Sequence, residues 1–178
     1  MAEGSGRFEI RRRWSGDLPG CVGALAEVHR SDGYPVVWSA DPARWLVESD
    51  QLASWVAVSA ATGEIAGHVA LNRGSGSSAG GVWAGLAEGR EPDGAGAVSR
   101  LYVAPAWWGN GLGERLLATA VGQARAWGLR PVLDVVAENE AAVALYHRTG
   151  WELLLTVDQT WSNGMTVTVH CFAAGDGA

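Results

Sequence analysis

The sequence predicts a single α/β (α+β) domain, residues 1–178, built on a mixed central sheet of six or seven strands with about four helices. Three observations point there. Two pairs of β-rich runs flank short Gly-containing turns and read as antiparallel hairpins. A strand, helix, strand, helix run over residues 97–149 calls for a right-handed crossover and so a parallel pair. The length of 178 residues, 48% apolar and 18% charged, suits one globular core large enough to carry an enzyme site.

Each element has its own signal. Residues 8–13 alternate weakly and read as a first strand. Asp17-Leu18-Pro19 puts an acid just before proline, a helix start, and that helix runs to about His29. Asp41-Pro42-Ala43-Arg44-Trp45-Leu46 repeats the signature for a second, short helix. Residues 55–59 and 65–71 enclose a turn with Gly63 and form a hairpin. The stretch 73–96, rich in Gly, Ser and Ala with Trp83 and Leu86 in its middle, reads as a surface insertion, flexible unless those apolar residues dock, and as a loop with about one turn of helix. Residues 97–103 form a strand running into Pro105. Leu112, Leu116, Leu117, Ala120, Val121, Ala124 and Trp127 then recur at helical spacing until Gly128. A short apolar strand covers 132–136, a helix covers 139–149, and residues 151–157 and 165–172 close the chain as a hairpin around Asn163-Gly164.

Composition narrows the function. The net charge is -6 and every basic residue is arginine, so the clustered cations of a nucleic-acid surface are missing. The one basic run, Arg11-Arg12-Arg13, reads as the solvated end of an edge strand. Cys21 and Cys171 are too few for a disulfide framework or a zinc cluster, and read as buried thiols in a reducing compartment. The first seven residues lack the apolar core of a signal peptide, and no stretch reaches the 18 or so apolar residues of a membrane span. The expectation is a cytoplasmic protein without membrane or nucleic-acid partners.

The segment Trp107-Trp108-Gly109-Asn110-Gly111-Leu112-Gly113-Glu114 falls between a strand end and a helix start. A helix start exposes unpaired amides and a partial positive charge, and glycines let an anion approach that backbone without a Cβ in the way. A tight, closely packed strand-to-helix turn would explain the same glycines. A phosphate loop of the Walker type would need Gly-Lys-Ser/Thr, and a dinucleotide fingerprint would follow the first strand with an acid about 20 residues on; neither fits.

Taken together, Leu101-Tyr102-Val103-Ala104-Pro105, the glycine turn, and the run from Asn139 through Ala142, Leu145, Tyr146 and Gly150 to Trp151 closely resemble the GNAT superfamily of N-acetyltransferases. Its pattern is a strand ending Val-x-Pro, a Gly-x-Gly-x-Gly-like turn, then Asn-x-x-Ala-x-x-Leu-Tyr-x-x-x-Gly-Phe. The match covers residues 97–151. The resemblance implies the GNAT fold with a splayed central parallel pair, acetyl-CoA as cosubstrate, and no metal. It implies that the main chain of Leu101, Tyr102 and Val103 holds the pantetheine arm, and that Gly109, Asn110, Gly111, Leu112, Gly113 and Glu114 hold the pyrophosphate. Asn139 would contact the cofactor while also suiting a helix N-cap. Tyr146 would contact CoA and protonate its departing thiolate, a task for a phenol that stays protonated at neutral pH; an aromatic at a helical core position is the plainer alternative. Trp108 and Trp151 depart from the Arg or Gln and the Phe usual at their positions, which weakens side-chain help for the phosphates and leaves the backbone donors intact.

The acceptor amine must lose a proton, at a cost near pH 7 of about 1 kcal/mol for an α-amine and about 4.6 for lysine. Asp134 looks like the acid that serves as base in ribosomal-protein N-terminal acetyltransferases; an exposed carboxylate near a strand end is the other reading. Glu64, His68 and Glu138 are further candidates. Neither cysteine carries a nucleophile's motif. Tyr34, Trp38 and Trp45, with the 73–96 insertion and the last hairpin, would shape acceptor choice. A small-molecule amine comes first and a peptide N-terminus second, a non-catalytic acyl-CoA-binding sensor is the alternative to an enzyme, and a homodimer through the last strands or the insertion is compatible with the pattern.

Overall fold

The computed structural model describes residues 7–175; the leading residues 1–6, read above as lacking an apolar leader, lie outside them. The strands are β1 (Phe8–Arg12), β2 (Gln51–Ser59), β3 (Ile65–Arg73), β4 (Ala95–Val103), β5 (Arg130–Val136), β6 (Trp151–Thr160) and β7 (Thr166–Ala174), in the sheet order β1-β2-β3-β4-β5-β7-β6. The helices are α1 (Leu18–Asp32), α2 (Pro42–Leu46), α3 (Ser78–Gly85), α4 (Leu112–Ala126) and α5 (Glu140–Arg148). The pair β4–β5 is parallel and the pairs β1–β2, β5–β7 and β6–β7 are antiparallel, so the sheet is mixed as the sequence predicts. A fifth helix, α3, of eight residues stands where the sequence reads a loop with about one turn of helix.

The chain divides into two compact units. One runs up to Ala70 and adds Arg100–Ala120; the other holds Leu71–Ser99 and everything from Val121. In the first unit, Cys21, Ala24, Leu25 and Val28 fall at helical spacing on one face of α1 and bury against Leu46, Val56, Tyr102 and Ala104. Leu25, 1% exposed, contributes roughly 1.5–3 kcal/mol by leaving water. The helix starts where Asp17 predicts, but that carboxylate does not cap it. Asp17 accepts from the Trp14 amide at 2.7 Å and takes both guanidinium arms of Arg11 at 2.7 and 2.9 Å. The Arg11-Arg12-Arg13 run is therefore not simply a solvated strand end. Arg11 is paired, Arg12 lies over Trp55, and Arg13 turns into a polar network. β1 needs those neighbours because it is the sheet's first strand and has β2 alone to pair with.

In the second unit the segment 73–96 is ordered by packing. Its helix α3 buries Ala79 and Gly80. A Cβ on Gly80 would meet the Gly74 carbonyl oxygen at 2.1 Å, and one on Gly74 would meet the Pro92 carbonyl oxygen at 2.1 Å. These two glycines thus permit backbone-on-backbone contact, a role that composition cannot separate from flexibility. Ala79 joins Ala95, Ala97, Val132, Cys171 and Ala173 in one core, with Val82 and Trp83 packed on it. The parallel ladder of β4 and β5 runs from Ala95↔Arg130 to Ala97↔Val132 and ends there, although β5 continues to Val136 beside β7.

Candidate active site

The glycine turn belongs to the first unit. β4 ends at Val103, a short 3₁₀ turn covers Pro105–Trp107, and α4 begins at Leu112. Residues 108–111 are all exposed. Gly109 and Gly111 have φ of 76° and 70°, left-handed values that cost an L side chain about 1–2 kcal/mol, and a Cβ on either would meet nothing within 4 Å. The glycines therefore serve backbone direction and open space; the close packing that might also have explained them is missing at both positions. The Asn110 amide folds back onto the carbonyls of Trp107 at 2.9 Å and Trp108 at 3.2 Å, fixing the turn with a side chain. The first bond of α4 on this side runs from the Arg115 amide to the Gly111 carbonyl at 3.2 Å. The amides of Leu112 and Gly113 open the helix, the place where a helix start binds anions. The Leu112 side chain is buried beneath them, while Glu114 is exposed in the first turn.

The end of β4 has its own order. Arg100, with φ of 52°, is the one non-glycine residue in the left-handed region among the described residues. Such a conformation persists where the surroundings over-determine it, and here they do. Its carbonyl receives the His68 Nδ1 at 2.9 Å, its Nε donates to the Trp45 carbonyl at 3.2 Å, its guanidinium lies 3.8 Å above the Trp45 ring, and it pairs with Glu48. Past this residue, Tyr102 is buried and donates its hydroxyl to the Cys21 carbonyl at 2.9 Å, and burial pushes the phenol well above its ordinary range. The Val103 carbonyl accepts from the Trp108 indole at 2.7 Å. Sequence reasoning marked Trp108 as a departure from the family pattern but gave no sign of this bond.

His68, a base candidate on sequence, is fully buried. Its Nε2 lies 2.9 Å from the Arg13 guanidinium, which can only donate, so Nε2 must accept and Nδ1 must carry the proton. Burial, with Arg13 and Arg100 nearby, drives its pKa down to about 3. A ring whose lone pair is already bound cannot take a proton from an amine. Arg13 also reaches the Leu46 carbonyl and the Gln51 side chain, each at 2.9 Å.

The second unit holds Asp134, Asn139 and Tyr146. Asp134 accepts the Ser78 amide at 2.9 Å and the Ala79 amide at 2.8 Å, with the Cys171 thiol at 3.5 Å. Ser77 takes the Gly80 amide, so a hydroxyl and a carboxylate together cap α3. Burial raises the Asp134 pKa, with these hydrogen bonds working against the rise. Its alternative reading as an exposed carboxylate is corrected: it is largely buried, and each of its oxygens accepts an amide. Glu64 and Glu138 are exposed. Asn139 caps α5 through the Ala142 amide at 3.1 Å. Tyr146 is 7% exposed, its ring 5.8 Å from Trp151 and 6.0 Å from Phe172.

Of the three residues expected to shape acceptor choice, Trp38 is exposed, its ring 5.1 Å from that of His29. Tyr34 and Trp45 pack against the first unit's core, and burial pushes the Tyr34 phenol up to about 12. Both cysteine thiols are likewise pushed up to about 12, chiefly by burial, which leaves them uncharged at neutral pH. Among the described residues, no group of three or more His, Cys, Asp or Glu could hold a metal ion, and no helix is long and apolar enough to cross a membrane.

Residues 23–151 match the model of the acetyltransferase (GNAT) family, and the chain belongs to that family and so to the N-acetyltransferases. No curated protein is significantly similar in sequence. Among solved structures, Arabidopsis thaliana NAA60 bound to a bisubstrate analogue is similar over 94% of this chain and 98% of its own, at 20% identity and a TM-score of 0.69. A ribosomal-protein-alanine N-acetyltransferase from Brucella melitensis is similar over 93% and 98%, at 21% identity and 0.66. A GNAT-family acetyltransferase from Streptococcus pneumoniae is similar over the same shares, at 22% and 0.62. At these identities the likeness establishes the fold.

Proposed function

We propose that the protein transfers an acetyl group from acetyl-CoA to a primary amine by direct attack in one ternary complex. The observation that carries this reading is the exposed turn at residues 108–111, just before α4, where a Cβ on either left-handed glycine would meet nothing within 4 Å. A diphosphate fits such a turn because main-chain N–H groups, fixed in direction, replace its water without a cation. Among the similar structures, Arabidopsis thaliana NAA60 has also been solved with acetyl-CoA.

Acetyl-CoA supplies an activated thioester. The chain's part is to orient it and move two protons. Main-chain atoms of Leu101, Tyr102 and Val103 hold the pantetheine, residues Gly109 to Glu114 hold the pyrophosphate, and Asn139 adds a cofactor contact beside its capping bond. Tyr146 protonates the leaving thiolate, consistent with a phenol held in an apolar setting beside Trp151 and Phe172. Because the amide bonds to Asp134 favour an anchoring role, the amine's proton passes through water to solvent or to an exposed carboxylate such as Glu138. The acceptor is a small-molecule amine, with Trp38 presented to it. A peptide N-terminus is the second reading, favoured by similarity to the ribosomal-protein-alanine enzyme.

The test is a mass-spectrometric search for acetylated products over small amines and peptides, with thiol release from acetyl-CoA followed in parallel. Tyr146→Phe should keep CoA binding and lose about 10²- to 10⁴-fold in kcat. A variant as fast as the wild type would remove Tyr146 from the chemistry, and no product with any amine would remove the activity.

A further inference from the structure

The network behind β4 has the form of a device for fixing main-chain direction. His68 offers two ring nitrogens to two partners of opposite demand. Arg13 can only donate and a carbonyl can only accept, so the ring is held as the Nδ1–H tautomer with no freedom to exchange the two roles. Arg13 is itself held on three sides, by the Leu46 carbonyl, the Gln51 side chain and His68. The ring also stacks on Tyr102, at 5.4 Å between centroids and 19° between planes. What this rigid set grips is the carbonyl of Arg100, the left-handed residue immediately before Leu101. A left-handed residue inside a strand reverses the run of its peptide groups, so whatever holds Arg100 also sets where the groups of Leu101 to Val103 point.

We propose that His68, locked by Arg13, is a positioning residue that holds the Arg100 turn and thereby aims the main chain of Leu101 to Val103 at the pantetheine arm. The inference rests on the acetyl-CoA reading above. A buried histidine serving the fold alone would affect stability, whereas this role couples it to cofactor affinity.

The experiment is calorimetric titration of CoA into the full chain, with melting curves and steady-state kinetics for wild type, His68→Leu and His68→Asn. At a temperature where each variant is shown to be folded, His68→Leu should lose roughly 5- to 100-fold in CoA affinity and raise KM for acetyl-CoA in step, leaving KM for the amine unchanged. His68→Asn keeps an amide donor near the Nδ1 position and should recover most of the loss. An equal Kd in all three, with only kcat or melting temperature lowered, overturns the proposal. Should His68→Leu fail to fold, ¹⁵N NMR of the wild-type imidazole and CoA titration of His68→Asn and Arg13→Met decide it. A proton on Nδ1 with weaker CoA binding by Arg13→Met supports the lock, and a proton on Nε2 or an unchanged Kd ends it. A wild-type chain that binds no CoA removes both readings, whereas a wild-type chain that binds it as tightly as the variants removes this one alone.

Discussion

Asp134→Asn separates a helix anchor from a general base. The wild-type carboxylate accepts two amides at the start of α3, 2.9 and 2.8 Å away. Asparagine keeps one acceptor and turns an NH₂ toward the other amide, leaving a buried donor facing a donor. Losing one charge-assisted bond and stranding one amide costs about 2–4 kcal/mol. For a chain of this length each kcal/mol moves the melting temperature by about 2–4 °C, so the midpoint should fall by roughly 4 to 16 °C.

The pH dependence has a definite sign. Burial raises the folded pKa of Asp134 above its unfolded value, so the folded state binds the proton more tightly. Its contribution is then fully present below the unfolded pKa and declines as pH rises toward the raised folded value. Wild-type stability should accordingly decline with rising pH over that window, while Asp134→Asn, which carries no titrating group at this position, should lack that component. Calorimetric melts across pH measure the stability, and kcat per folded molecule measures the chemistry. An anchor predicts the melting loss with kcat within a few-fold. A kcat loss of about 10²-fold or more at unchanged melting temperature would make Asp134 the base and refute the anchor.

Two further outcomes bear on the cofactor turn. Trp108→Phe removes the donor that occupies the Val103 carbonyl, and if pantetheine competes for that oxygen, CoA affinity should rise about 2- to 12-fold for a bond worth roughly 0.5–1.5 kcal/mol; unchanged or weaker binding in a titration would show that the indole does not compete. Gly111→Ala forces a left-handed alanine at φ of 70° and should lower stability by about 1–2 kcal/mol and weaken CoA binding, whereas Gly111→Asn, a residue that tolerates this region, should lie between; equal melting and equal Kd for the alanine variant would sink the backbone argument.

What could be read in the sequence is what acts within a few residues. Asp41 before Pro42 does cap α2 through the Arg44 amide at 3.0 Å, Asn139 does cap α5, and Asn163-Gly164 does turn, with Gly164 at φ of 82°. Each signal and its partner sit inside one turn of chain. What could not be read depends on residues far apart in sequence. Asp134 finds its amides at Ser78 and Ala79, and Arg13 finds His68, only once the sheet is formed. The segment 73–96 is less legible for a different reason. Glycine signals freedom or close approach with the same letter, and only coordinates show that Gly74 and Gly80 press backbone on backbone while Gly109 and Gly111 stand open.

These two classes meet at the candidate site. No arginine lies between Leu101 and Glu114, and the first one, Arg115, extends its guanidinium to the Phe8 carbonyl at 3.3 Å. On the proposed reading, a diphosphate at this turn would then be held mainly by amides. Amides carry no net charge and do not titrate, so their value depends wholly on aim. Aim is a property of φ and ψ, and in this chain it is set by the left-handed glycines and Asn110 at the turn, and by Arg100 on the strand. The glycines adopt such angles at no cost, so a local motif announces them. Arginine does not, so the structure must supply the constraint from elsewhere, through Glu48, Trp45, His68 and Arg13. On the proposed reading, a site that binds through backbone shows half of itself in a short motif and leaves the other half to side chains distant in sequence.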